Sequence, residues 1–306
     1  MKMIRSLQYQ SDTPTVVALG CFDGVHLGHA AVIRSAIEQA KAKGLPSLIL
    51  AFSEPPRNFF FPNSVPLITE PSEKEERISA LGADLLLSVP FDRSVAEMSA
   101  EEFMQTVLLD RLHATHVVSG FNYSFGKGGK GNAALLSDFC HQRGIGFTAC
   151  PPILLDGQPV SSSRIRGAIA EGDTATVCRL LGRNYSIRGE VVDGQKLARN
   201  LGFPTVNQLL SPHVAIPLHG VYVTKIYGAD PHAPRFGITN IGLRPTVKGR
   251  ILCAETHIFD FSDDLYGKDL TVELLAFLRP ETPFPTLEAL KAQVETDIQK
   301  ARALVK

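Results

Sequence analysis

Ten residues near the start of the chain, Gly20-Cys21-Phe22-Asp23-Gly24-Val25-His26-Leu27-Gly28-His29, constrain the fold more than any other stretch. An apolar run, Val16-Val17-Ala18-Leu19, leads into them, and a helical pattern from Ala30 to Lys43 leads out. A buried strand that ends in glycines and passes into a helix reads as the first βα turn of an open α/β sheet. At such a turn the unpaired N–H groups of the new helix favour an anion. His26 and His29 are three residues apart, so at a helix start both imidazoles reach the same ligand. Gly28, with no side chain, lets a phosphate approach the backbone. Spacing alone leaves two alternatives open, a metal pair or two surface histidines without a role.

The chain has 306 residues, enough for about two domains with a core each. Lys plus Arg and Asp plus Glu both number 31, so no global field recruits nucleic acid or an anionic membrane, and any anion site is local. The five cysteines are scattered and form no C-x-x-C, which points to free thiols in a reducing compartment. There is no leader-like segment, and no apolar run approaches about 18 residues. The expected location is the cytoplasm, without a membrane or nucleic-acid partner. Oligomeric state is not legible.

Ser47 to Phe52, Asp84 to Val89, His116 to Ser119 and Gly146 to Cys150 read as strands alternating with helices. Ser72 with Glu75 and Ser99 with Glu102 read as capping boxes, the second with a Met98–Phe103 staple. This alternation predicts a parallel sheet covered on both faces. Asp173 to Leu181 reads as a short helix closed by Gly182. From Tyr185 the character changes: Gly220 to Ile226, Arg235 to Ile241, Cys253 to Phe261 and Leu270 to Arg279 are strand-like, with Asp263 to Lys268 as a hairpin connection. A last helix follows Pro285, striped by Leu287, Leu290, Val294, Ile298 and Ala301. The expected architecture is an α/β domain over residues 1–183, then an antiparallel β-barrel with a terminal helix over 184–306.

Several further stretches bear chemistry. Ser161 to Arg166 puts hydroxyls and guanidinium groups at a helix start, a phosphate clamp or a plain N-cap. Gly120 to Gly131 is rich in glycine and lysine but lacks the G-K-[ST] ending of a P-loop. Thr205 and Asn207 share a strand face and offer neutral oxygens, but threonine in a strand is ordinarily there for its β-propensity, and by itself the stretch reads only as a hairpin. Glu255 and His257 share another face with Phe259, and a carboxylate facing a barrel interior is costly unless paired or functional. For Phe59-Phe60-Phe61, core packing is the expectation.

The first stretch resembles the H-x-G-H signature of nucleotidyltransferases, and in its full form the bifunctional riboflavin kinase/FMN adenylyltransferase (FAD synthetase) family of bacteria. Four further segments are similar to motifs of that family in the same order. They are Gly120 to Gly126, Ser161 to Arg166, Gly189 to Asn207, and Asn240 to Thr246 with Ala254 to Phe261. The resemblance implies a Rossmann-like nucleotidyltransferase domain followed by a riboflavin kinase barrel. It implies phosphorylation of riboflavin by ATP to FMN, then transfer of AMP from a second ATP to give FAD and pyrophosphate. On this resemblance His26 and His29 are catalytic in adenylyl transfer. Gly20, Phe22, Asp23, Gly28, Ser162, Ser163 and Arg166 bind ATP there, and Asn122 and Phe125 bind flavin. In the kinase Glu255 is the base, Gly194, Lys196 and Arg199 bind ATP, Thr205 and Asn207 hold Mg²⁺, and Arg279 contacts flavin.

Two positions depart from the family pattern. Pro55 stands at the histidine of its T-F-x-P-H-P segment, and Ala198 stands at a glycine of the kinase ATP loop. Ala198 keeps open a monofunctional adenylyltransferase whose barrel only binds flavin. A non-enzymatic flavin-binding protein is the other alternative.

Overall fold

The computed structural model describes residues 1–193, 202–246 and 249–305. The chain divides into two compact units, Met1–Ser162 and Ser163–Lys306. The first contains β1 (Lys2–Ile4), β2 (Thr15–Gly20), α1 (Leu27–Lys43), β3 (Ser47–Phe52), α2 (Arg57–Phe60), α3 (Pro71–Ala80) and β4 (Leu85–Val89). There follow α4 (Arg93–Glu97), α5 (Ala100–Glu102) running into a π-helix (Phe103–Arg111), and β5 (Ala114–Gly120). The short pair β6 (Ser124–Phe125) and β7 (Gly131–Asn132), α6 (Ala133–Gln142), β8 (Gly146–Cys150) and a second pair, β9 (Leu154–Leu155) and β10 (Gln158–Pro159), complete it.

Six strands form one sheet in the order β1-β4-β3-β2-β5-β8, every neighbouring pair parallel. Period-two alternation explains why Val16 to Leu19 is apolar throughout. Val16 and Ala18 face α1 and Ile78 of α3, whereas Val17 and Leu19 face the π-helix and α6. The α1 helix begins three residues earlier than its apolar pattern, because the His26 side chain caps it, and it ends on left-handed Gly44. The Ser72–Glu75 capping box does not form. Pro71 occupies the first helical turn of α3, so the helix starts ahead of Ser72 with no side-chain cap, and Glu75 instead pairs with Arg5. Ser99 does cap its helix, accepting from the Glu102 N–H at 3.0 Å.

The second unit opens with α7 (Ser162–Ala170) and α8 (Thr174–Leu181), the latter capped by Asp173 and closed by left-handed Gly182. Its strands are β11 (Tyr185–Val192), β12 (Val206–Leu209), β13 (Gly220–Tyr227), β14 (Arg235–Thr246), β15 (Gly249–Ile258) and β16 (Asp269–Pro280), and α9 (Leu287–Leu304) ends it. They close a barrel in the order β11-β12-β15-β14-β13-β16, antiparallel throughout. The segment from Asp263 to Lys268 is therefore not a hairpin. It joins β15 to β16, which are not neighbours, and Gly267 and Lys268 exchange backbone bonds with Val191.

Inside the barrel, Ile258, Ile226 and Val272 pack together, and the hydroxyl of Thr239 links those of Thr224 and Thr256 at 3.0 and 2.9 Å. On the outer wall, α9 lays Val294, Ile298 and Ala301 over Val221, Val223, Ile238 and Phe259. The helical stripe fades at its start, where Leu287 is exposed.

His116 on β5 is buried, with its Nε2 2.8 Å from the Thr148 hydroxyl. Burial, with Lys43 nearby, holds its pKa below the ordinary imidazole value. The unfolded chain then takes up a proton before the folded one does, so this contribution is full above the ordinary imidazole pKa and is lost as the pH falls below it. Urea unfolding should show stability declining from about pH 7 to about pH 5. His116→Gln, which keeps a hydrogen-bonding group without the titration, should flatten part of that decline.

Candidate functional site

The turn between β2 and α1 is held in unusual backbone. Phe22, Gly24 and Val25 have φ of 56°, 81° and 40°, and left-handed geometry at a bulky residue costs on the order of 1–3 kcal/mol. The surroundings over-determine it. Phe22 is buried, and its ring lies where a Cβ on Gly20 would be 2.6 Å from Cζ. The Asp23 carboxylate accepts from the backbone N–H groups of Ile68 and Thr69, and the Thr69 hydroxyl accepts from the Gly24 N–H at 3.3 Å. Asp23 thus holds the turn with its side chain, while its carbonyl accepts from the Ser162 hydroxyl at 3.1 Å.

His26 caps α1 through Nδ1, which accepts from the His29 N–H at 3.2 Å. That bond requires Nδ1 to be the acceptor, so in the neutral ring the proton sits on Nε2. The two imidazoles stack with centroids 3.5 Å apart and planes 15° from parallel, and the Phe22 ring meets His29 edge-on. A methyl on Gly28 would lie 3.1 Å from His26 Cε1, so this glycine leaves room for the ring as well as for a ligand. The sequence motif thus becomes a stacked pair of imidazoles at a helix N-terminus.

Lys74, on no motif, is also part of this region. The residue is 2 % exposed, and its ammonium donates to the carbonyls of Phe52 and Ser53 at 2.5 and 2.9 Å. Burial lowers its pKa, opposed by Cys21, Asp23, Glu75 and Glu54. Its signal in the sequence is phase: Lys74 stands one turn before Ile78, on the buried side of α3.

Beside the end of β3 lies a hollow of about 210 Å³ walled by Phe52, Pro56, Phe60, Phe91, Tyr123 and Phe125 among others. Phe91 meets Phe52 edge-on at 5.1 Å, and Tyr123 stacks on Phe125 at 5.7 Å. Burial and the neighbouring Cys21 raise the Tyr123 phenol above its ordinary pKa, so it stays a neutral donor. The core role expected of Phe59-Phe60-Phe61 is overturned: they are 42, 57 and 63 % exposed, because α2 presents them outward, and Phe60 lines the hollow. Asn122 is at an exposed position next to this wall. Ser163, exposed, and Arg166, half-buried, stand on α7 in the second unit.

In the barrel, Thr205, Val206, Asn207, Thr256 and the 261–266 segment line a cavity of about 360 Å³. Thr205 lies just ahead of β12, and Asn207 within it. Glu255 does not face the interior. Thr256 beside it points inward to the threonine trio, so strand alternation turns Glu255, His257 and Phe259 to the outer wall. There Glu255 stands in register between Asn207 on β12 and Asn240 on β14. Asn240 donates to Glu281 at 3.0 Å. His257 Nδ1 lies 3.0 Å from the Pro204 carbonyl, tying the Thr205 segment to the same wall.

Arg279 donates from Nε to the buried Asp297 at 2.8 Å and from Nη1 to the Pro280 carbonyl at 3.1 Å. It anchors α9. Gly194, Lys196, Ala198 and Arg199 lie outside the described residues. Among the described residues, no three His, Cys, Asp or Glu side chains converge as a resident metal would need.

An anion-binding turn at the carboxyl edge of a parallel sheet marks the nucleotide-binding α/β folds, and the first unit is of that class. The sequence profile of the FAD synthetase family matches residues 8–164, and that of riboflavin kinase matches 181–305. A bifunctional riboflavin kinase/FMN adenylyltransferase of Pseudomonas fluorescens is 38% identical over 290 residues, covering 94% of this chain and 92% of its own. Its counterpart in Escherichia coli K12 is 35% identical over 306 residues, covering 99% and 97%. A solved structure from Streptococcus pneumoniae, described as a macrolide-efflux protein, superposes with a TM-score of 0.90 at 29% identity over 99% of both chains. No helix among the described residues is long and apolar enough to cross a membrane. The chain belongs to the bifunctional riboflavin kinase/FMN adenylyltransferase family, whose substrates are riboflavin, FMN and ATP.

Gly28→Ala should push the His26 ring off its position and slow FAD formation by about tenfold, leaving riboflavin phosphorylation unchanged. Arg279→Met should leave the buried Asp297 carboxylate with the Gln293 amide but without its countercharge, and cost about 3 kcal/mol of barrel stability, read by calorimetry.

Proposed function

We propose that residues 1–183 adenylylate FMN and residues 184–306 phosphorylate riboflavin; the FAD synthetase match ends at 164 and the riboflavin kinase match begins at 181. The observation that carries the first half is the His26 cap. With Nδ1 accepting from the helix, the neutral ring carries its proton on Nε2, the form suited to donating to a phosphate oxygen. Adenylyl transfer brings an FMN phosphate oxygen to the α-phosphorus of ATP and expels pyrophosphate. Negative charge spreads over the phosphoryl oxygens, so fixed donors and the N-terminus of α1 supply most of what is needed. His29, stacked on His26, adds a second donor. The aromatic hollow takes the isoalloxazine ring, with Pro56 and Phe60 on its wall where Pro55 replaces the usual histidine.

In the barrel, Glu255 accepts the proton of the ribityl hydroxyl as that oxygen attacks the γ-phosphorus of ATP, whose bond to the β,γ-bridging oxygen breaks to release ADP. Asn207 and Asn240 on either side hold it in register. Thr205 and Asn207 would hold Mg²⁺: their neutral oxygens beside a nucleotide-sized cavity fit a cation whose charge is balanced by ATP phosphates. When bound, it neutralises charge on the transferred phosphate. The five free thiols fit a reducing, cytoplasmic setting.

Purified protein given riboflavin, ATP and Mg²⁺ should yield FMN first and then FAD. His26→Ala should let FMN accumulate while FAD formation falls by about 10²–10³. Glu255→Gln should slow FMN formation by roughly 10²–10⁴ yet still convert supplied FMN to FAD. A chain that never makes FMN from riboflavin would instead be a monofunctional adenylyltransferase.

A further inference from the structure

Lys74 needs an explanation that the motifs do not give. On the β2 side, the ladder of β3 ends at Ala51, opposite Gly20, because β2 there leaves the sheet for the turn that leads to α1. On the β4 side it runs one step further, through the bond from the Ser53 N–H to the Val89 carbonyl. The carbonyls of Phe52 and Ser53 therefore outrun the sheet, and both accept from the Lys74 ammonium. A buried charge is a costly way to satisfy two neutral carbonyls, since a neutral donor would serve stability as well. What the ammonium achieves is location. It fixes the point at which the chain leaves β3, and the residues on either side of that point, Phe52 and Pro56, are walls of the aromatic hollow.

We propose that Lys74 is a positioning residue for FMN: by clamping the Phe52–Ser53 end of β3 it sets the width of the hollow that receives the flavin ring. The inference rests on the reading of that hollow as the flavin site. It assigns Lys74 no contact with the reacting atoms. Its loss is therefore felt in FMN binding before it is felt in the chemical step.

The test uses the full chain. Lys74→Met keeps the apolar stem and removes the ammonium. It should raise the KM for FMN in FAD formation by about tenfold or more, as expected for losing charge-assisted hydrogen bonds, with a smaller change in kcat. The KM for riboflavin in the kinase reaction should not move. Propylammonium, which replaces the atoms deleted in Lys74→Ala, should restore the KM for FMN of that variant, while tetramethylammonium should not. A KM for FMN within about twofold of wild type in Lys74→Met would overturn the proposal. So would a loss of kcat alone. If Lys74→Met fails to fold, the alanine variant decides, and absence of rescue by propylammonium also overturns it. Phe91→Ala separates the two readings. If it leaves the KM for FMN unchanged, the hollow is not the flavin site; if it raises that KM while Lys74→Met does not, only the role of Lys74 falls.

Discussion

The hydrogen bond from the His29 N–H to His26 Nδ1 is the small interaction on which the first half depends. It starts α1 at Leu27 rather than Ala30, and so places both histidines at the helix end where the backbone N–H groups are unpaired. It also selects the tautomer, leaving Nε2–H as a donor. The surrounding residues serve this geometry. The left-handed backbone at Phe22, Gly24 and Val25 would relax if free, and the Asp23 carboxylate on Ile68 and Thr69 prevents that. In a protein of zero net charge, this turn is thus built from backbone and two imidazole rings rather than from a cluster of cations.

The barrel solves its problem in the opposite way. Its interior is committed to packing and to a chain of three threonine hydroxyls. The Glu255 carboxylate stands on the outer wall, in register with asparagines on two neighbouring strands. A glutamate there avoids the desolvation it would meet inside. Arg279 and Asp297 meanwhile fasten the terminal helix to that outer wall.

Most of the fold is legible in the sequence because hydrophobic period and turn chemistry agree. The strands at Ser47–Phe52 and Gly146–Cys150 and the helix from Asp173 to Gly182 appear as their patterns require. Failures occur where tertiary context decides. Pro71 outranks Ser72 as a helix start, and the Asp263–Lys268 segment looks like a hairpin until strand order shows its flanking strands apart. Alternation alone gives Glu255 and Phe259 a shared face but not which face. The choice falls outward because α9 covers Phe259. Lys74 is invisible to motifs, since what makes it notable is burial, and burial is a property of the assembled sheet.

Closure of the barrel has a further consequence for the whole polypeptide. Its six strands pair on both sides, so they offer no template to a passing chain. The open sheet does have two borders. One is the three-residue β1, too short to recruit much; the other is β8, five residues long and paired only through β5. Under crowding or partial unfolding, strand addition between copies would begin at β8, on the half matched by the FAD synthetase family rather than on the half matched by riboflavin kinase.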